Sequence, residues 1–240
     1  MSLRGPRSRA GLAALALALL APLGLAGCDD GPAAHQRPPV ERHGTLAVIG
    51  DSVMAGPNPA DPDLGLGDQL AEDLKMHFKN FSVGGTGYLR KGPEGDQSFV
   101  SQARAAVKVD ADLYVVYGGA NDWLDLYLAH TKKLKDLVAA ARTTFRLLAA
   151  KAGPEHVVVI GPIWPKFPIV KSARKIRDAL AEEAQAAGLP FVDPIREQWL
   201  TPENDEEMLG PDRVHPSKAG QVYFADLMAT AIDEAVGPVG

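Results

Sequence analysis

From residue 44 onward the chain alternates between two hydrophobic periods. Compact β-branched runs bounded by glycine, the pattern of strands buried on both faces, occupy Thr45–Ile49, Asp112–Tyr117 and His156–Ile160. Shorter runs at Asn80–Val83 and Leu189–Val192 predict two more strands. Between them apolar residues recur three or four apart, the spacing of one buried helix stripe. Leu70, Leu74 and Phe78 form one such stripe, Leu134, Val138, Ala141, Phe145 and Leu148 another, and Ile176, Leu180 and Ala184 a third. Phe99–Val107 is also predicted to be helical, and a last helix starts near Ser217 with Val222, Leu227 and Ile232 among its buried positions. Gly153-Pro154 and Gly188 stop two of these helices. Strands alternating with helices predict βαβ units, hence an α/β fold with a five-stranded parallel sheet in flavodoxin-like order and helices on both faces.

Residues 1–43 do not share this pattern. Arg4, Arg7 and Arg9 precede an apolar run, Gly11–Leu25, which is shorter than the roughly 20 residues of a membrane-spanning helix. Small residues follow it, so residues 1–27 read as a secretion signal. Cys28 is the only cysteine, which excludes an intramolecular disulfide. Leu25-Ala26-Gly27-Cys28 resembles the lipobox of bacterial lipoproteins. That resemblance implies cleavage before Cys28, diacylglycerol on its sulfur, and anchoring to the outer face of the bacterial cell membrane. An unlipidated chain would instead be fully secreted. Asp29–His43, rich in proline and charge, reads as a solvated tether, so residues 28–43 join the anchor to a domain spanning 44–240.

Loss of residues 1–27 leaves 22 basic residues against 30 acidic ones, a balance that argues against nucleic acid as a partner. His35 and His43 lie in the tether, and His77, His130 and His156 show no paired ligand spacing. They read as solvated, surface or strand-edge residues, and no metal site is expected.

The candidate chemistry begins at Gly50-Asp51-Ser52, which closes the first strand. Ligands bind at the carboxyl edge of such sheets, and a serine there needs an adjacent base to become a nucleophile. Asp212-Arg213-Val214-His215-Pro216 offers one. A carboxylate three residues before a histidine in a turn can reach Nδ1–H and leave Nε2 free to face Ser52. Gly84-Gly85, after the second strand, can aim a backbone N–H at a substrate. Asn121, in the Gly119-Ala120-Asn121-Asp122 turn after the third, can donate to an oxyanion or cap the next helix. Trp123, Trp164 and Phe167 occupy loops on the same edge and are candidates to line a substrate pocket.

Four blocks, Gly50-Asp51-Ser52-Val53, Ser82-Val83-Gly84-Gly85, Gly119-Ala120-Asn121-Asp122 and Asp212-Arg213-Val214-His215-Pro216, together resemble the SGNH hydrolase superfamily, the GDSL esterases and lipases. The resemblance implies a three-layer α/β/α sandwich in which Ser52 is the nucleophile, His215 the general base and then acid, and Asp212 the residue that orients the imidazole. The implied oxyanion hole is the N–H of Ser52, the N–H of Gly85 in preference to Gly84, and the Asn121 amide. The implied activity is cofactor-free hydrolysis of carboxylic esters through an acyl-enzyme, on acyl esters, lipids or O-acetylated envelope glycans. Acyl transfer to such glycans and non-catalytic binding of an acylated ligand are the alternatives. Ser52 lacks the G-x-S-x-G elbow of the α/β-hydrolases.

Overall fold

A computed structural model describes residues 43–56 and 65–237. The predicted signal, Cys28, all but the last residue of the tether, and residues 57–64 of the first loop lie outside them. Strands β1 (Thr45–Ile49), β2 (His77–Asn80), β3 (Leu113–Tyr117), β4 (Val157–Ile160) and β5 (Phe191–Val192) form one parallel sheet in the order β2-β1-β3-β4-β5. The helices are α1 (Leu66–Asp73), α2 (Phe99–Ala106), α3 (Leu134–Ala152), α4 (Lys171–Ala186), α5 (Asp205–Met208) and α6 (Lys218–Val236).

Successive strand residues point to opposite faces, and both faces are covered. Leu46, Val48, Val115 and Ile160 pack with Leu70 of α1 and with Phe224 and Met228 of α6. Ala47, Ile49, Val116 and Val159 pack on the other face with Phe99 of α2, Phe145 of α3 and Leu180 of α4. This double burial is why the central strands read as unbroken apolar runs. From β1 the chain passes through α1 to β2 on one side, then returns through α2 to β3 on the other. The reversal opens a crevice where β1 and β3 end side by side, Ile49 paired with Val116.

The sequence expectations fail at three places. The second strand ends at Asn80 instead of beginning there, so Phe78 belongs to a strand and not to the α1 stripe. Helix α1 stops at Asp73, and Lys75, at φ 56°, turns the chain into β2. This edge strand is largely polar and exposed, so it carries no apolar signal. Val222 is 54% exposed, because α6 turns Phe224, Ala225, Met228 and Ile232 inward. His156, read as a surface or strand-edge residue, is buried, and its Nδ1–H donates to the Asp112 carbonyl at 2.7 Å.

Candidate active site

Beyond Gly50 the chain folds into a tight turn in which the N–H groups of Met54 and Ala55 both donate to the Asp51 carbonyl, at 3.2 and 2.9 Å. Asn80, at the end of β2, donates its amide to the Met54 carbonyl and holds the turn against the sheet. Asp51 points inward and accepts from the Val53 N–H at 3.0 Å. Ser52 is half-buried.

The partner of Ser52 comes from the loop before α6. Gly210 donates to the His215 carbonyl and Arg213 to the Gly210 carbonyl, which closes the loop on itself. Asp212 Oδ1 accepts from the N–H groups of Val214 and His215, at 2.9 and 3.0 Å, and its Oδ2 lies 2.6 Å from His215 Nδ1. The hydrogen bond from His215, helped by the two backbone N–H groups, holds the Asp212 carboxyl down to about 2. It is therefore ionised at neutral pH. An anionic Oδ2 requires Nδ1 to carry the proton, so Nε2 accepts from the Ser52 hydroxyl across 2.8 Å. Arg213, at φ 56°, turns away from this line, and its guanidinium ties the loop to α5 through Asp205 at 2.6 Å.

Gly84 lies next to Ser52, and Gly85 follows it in the chain. A Cβ on Gly84 would stand 3.8 Å from the Ser52 Cβ. Gly85 has φ +72° with open space around it, so its glycine is required by backbone conformation and not by crowding. Among the described residues, the N–H groups of Ser52, Gly84 and Gly85 have no acceptor. Asn121 spends one amide hydrogen on the Thr86 carbonyl at 2.9 Å, which fixes the plane of the amide and leaves the second hydrogen available.

Gln102, which the sequence did not single out, and Asp122, read there only as part of the turn after the third strand, brace these turns. Gln102, buried on α2, accepts from the Gly50 N–H at 2.9 Å and donates to Thr86 Oγ1 at 3.0 Å, so it binds the turns after β1 and β2 together. Buried Asp122 accepts from the N–H groups of Tyr88 and Leu89, at 3.1 and 2.7 Å, and binds the turn after β3 to the same loop. Gly87 leaves room for that carboxylate, since a Cβ there would fall 2.6 Å from Asp122 Oδ2.

Burial raises the Asp51 carboxyl to about 7 and that of Asp122 to about 6. Between the ordinary 3.8 and these values the native state keeps protons that the unfolded chain has released, so both groups cost stability as pH rises through that window.

The aromatic candidates sit to one side of this line. Trp164 is 8% exposed and packs with Ala173 and Ile195, while Trp123 meets it edge-on at 6.1 Å and donates its indole N–H to Ser172 on α4. Phe167 lines an open cavity of about 730 Å³ over the loops after β4 and β5, and neither indole is among the residues that line it. Among the described residues, no group of three or more His, Cys, Asp and Glu side chains could hold a metal ion.

Residues 48–222 match the model of the GDSL-like lipase/acylhydrolase family. A GDSL lipase of Mycobacterium tuberculosis is 33% identical over 204 residues, which cover 80% of this chain and 83% of that relative. Among solved structures, a lipase/acylhydrolase from Enterococcus faecalis is similar in fold, with TM-score 0.58 and 21% identity over 81% of this chain and 97% of that one. A variant of an acetyl-xylooligosaccharide esterase from Geobacillus is also similar, with TM-score 0.56 and 19% identity over 82% of this chain and 96% of that one.

Proposed function

The chain belongs to the GDSL-like lipase/acylhydrolase family, and from that premise we propose that it hydrolyses carboxylic esters with Ser52 as nucleophile, His215 as general base and then acid, and Asp212 as the group that orients His215. The observation that carries this reading is the continuous hydrogen-bonded line Ser52 Oγ–His215 Nε2, 2.8 Å, and His215 Nδ1–Asp212 Oδ2, 2.6 Å. Ser52 Oγ passes its proton to Nε2 as it attacks the carbonyl carbon, and the imidazolium that forms is stabilised by the ionised Asp212. The developing oxyanion takes hydrogen bonds from the Ser52 N–H, the Gly85 N–H and the second amide hydrogen of Asn121. The imidazolium then protonates the departing alcohol and leaves an acyl group on Ser52. Water, deprotonated by His215, attacks that acyl carbon; the bond to Ser52 Oγ breaks, the imidazolium returns its proton to Oγ, and the acid leaves.

The relatives named above, a lipase and an acetyl-xylooligosaccharide esterase, support acyl and acetyl esters as the substrate class. The test is turnover of p-nitrophenyl esters from acetate to palmitate together with labelling by a fluorophosphonate probe. Turnover of at least one ester and covalent labelling are expected; a folded protein that shows neither would sink the reading. Asn121→Ala should lower turnover on the best ester by about 100- to 1,000-fold, the usual cost of one oxyanion donor. An unchanged rate, with a melting curve showing that the loop has survived loss of the Thr86 contact, would remove Asn121 from the hole.

The site is further proposed to work outside the cell, on a chain held to the membrane by diacylglycerol at Cys28. Arg4, Arg7 and Arg9, the apolar run Gly11–Leu25 and the single cysteine support that placement. Mass spectrometry of the mature protein should find residue 28 at the N-terminus and lipidated. An unmodified cysteine would turn the proposal to a fully secreted chain.

A further inference from the structure

Beside the serine, a π-helical turn, Leu124–Leu128, and the segment that follows it face the loop between β2 and α2 across a cleft of about 680 Å³. Its walls include Gly84, Gly85, Leu89, Arg90, Asp125 and Lys132. Gly84, where a Cβ would stand 3.8 Å from the Ser52 Cβ, belongs to it with Gly85, so the cleft adjoins the serine. Lys91 also lines it, so the walls carry three cations and one carboxylate in a chain that is acidic as a whole.

That carboxylate is engaged. Asp125 pairs with Arg90 at 3.5 Å and accepts from the Thr131 hydroxyl at 3.3 Å, while its carbonyl takes the N–H groups of Thr131 and Lys132. Arg90 also donates from Nε to the Gly85 carbonyl at 3.2 Å, which places a guanidinium on the glycine whose N–H, in the preceding peptide, is assigned to the oxyanion. Lys91 pairs with Asp96, outside the cleft, at 3.7 Å. Lys132 has no carboxylate partner among the described residues. A local excess of positive charge in a concave site raises the concentration of anions there and orients them.

From this placement, and resting on the hydrolase reading above, we infer that the physiological ester carries an anionic group, a carboxylate or a phosphate, and that Lys132 and Arg90 bind it beside the oxyanion hole. Leu89 and Pro93 supply the apolar wall for the carbon skeleton between that group and the ester.

The test compares kcat/KM for neutral and anionic twins. Mono-p-nitrophenyl glutarate against p-nitrophenyl butyrate puts a carboxylate on the acyl side. 4-Acetoxybenzoate and 4-acetoxyphenyl phosphate against phenyl acetate put a carboxylate or a phosphate on the alcohol side. In at least one arm the anionic-to-neutral ratio should fall about tenfold in Lys132→Glu, through KM, and less in Lys132→Ala. Added salt should lower the same ratio in the wild type. A ratio that ignores both variants and salt in every arm, while neutral esters turn over, overturns this inference alone. Absence of turnover on every ester overturns the hydrolase reading and this inference with it.

Discussion

Ser52→Ala is expected to reduce ester turnover by about 10⁴- to 10⁶-fold and to abolish fluorophosphonate labelling, while the protein melts within a few degrees of the wild type. The size follows from what is removed. Without Oγ no acyl-enzyme can form, and the residual rate is that of water held beside an oxyanion hole and a base. The small stability cost follows from the position of the side chain. Ser52 is half-buried and makes one hydrogen bond to a histidine that is itself anchored by Asp212, so its loss leaves the loop in place. Measurement of kcat/KM on the best p-nitrophenyl ester decides the matter. Retention of more than a few per cent of the wild-type rate, or labelling that persists, would mean that another nucleophile does the chemistry.

Asp212→Asn should cost on the order of 10³- to 10⁴-fold in kcat with a folded loop, because the change acts on the tautomer of His215 more than on its position. In the wild type Oδ1 holds the N–H groups of Val214 and His215, a task an asparagine Oδ1 can continue. Oδ2 faces Nδ1 at 2.6 Å, and an amide NH₂ in its place would donate to Nδ1. The ring proton then moves to Nε2, which can no longer accept from Ser52. The carboxylate is 53% exposed, so solvent shares the stabilisation of the imidazolium and the lower end of the range is the better guide. Single-turnover acylation of the variant should slow as much as kcat. Asn at full rate would show that the carboxylate merely supports the loop.

Much of this site is written locally. Thr45–Ile49, Leu113–Tyr117 and Val157–Ile160 sit within unbroken apolar runs because helices bury both faces of the sheet, and a serine, a glycine pair and an asparagine follow β1, β2 and β3 in turn. Asp212 and His215 are legible as a pair because their contact spans three residues of one turn. What escaped the sequence is what depends on distant partners. β2 is a polar edge strand held by backbone bonds to β1, so its bounds slip by three residues when read from apolar spacing. Gln102 resembles any glutamine on a helix until the fold brings its amide against Gly50 and Thr86, and Asp122 resembles a helix cap until it is found closed over by the Tyr88–Leu89 backbone. Trp164 reads as a loop aromatic, yet tertiary packing against Ala173 and Ile195 buries it.

The sequence by itself thus determined the fold class, the strand-end turns and the Asp-His pair, because backbone preference and hydrophobic period act over a few residues. Only the tertiary structure decided that Ser52 Oγ meets His215 Nε2 across 163 residues, that the Asn121 amide is fixed by the Thr86 carbonyl, and that basic side chains from two loops share one cleft. Those contacts depend on how the sheet reverses between β1 and β3, which sets the distance between segments that no local pattern relates.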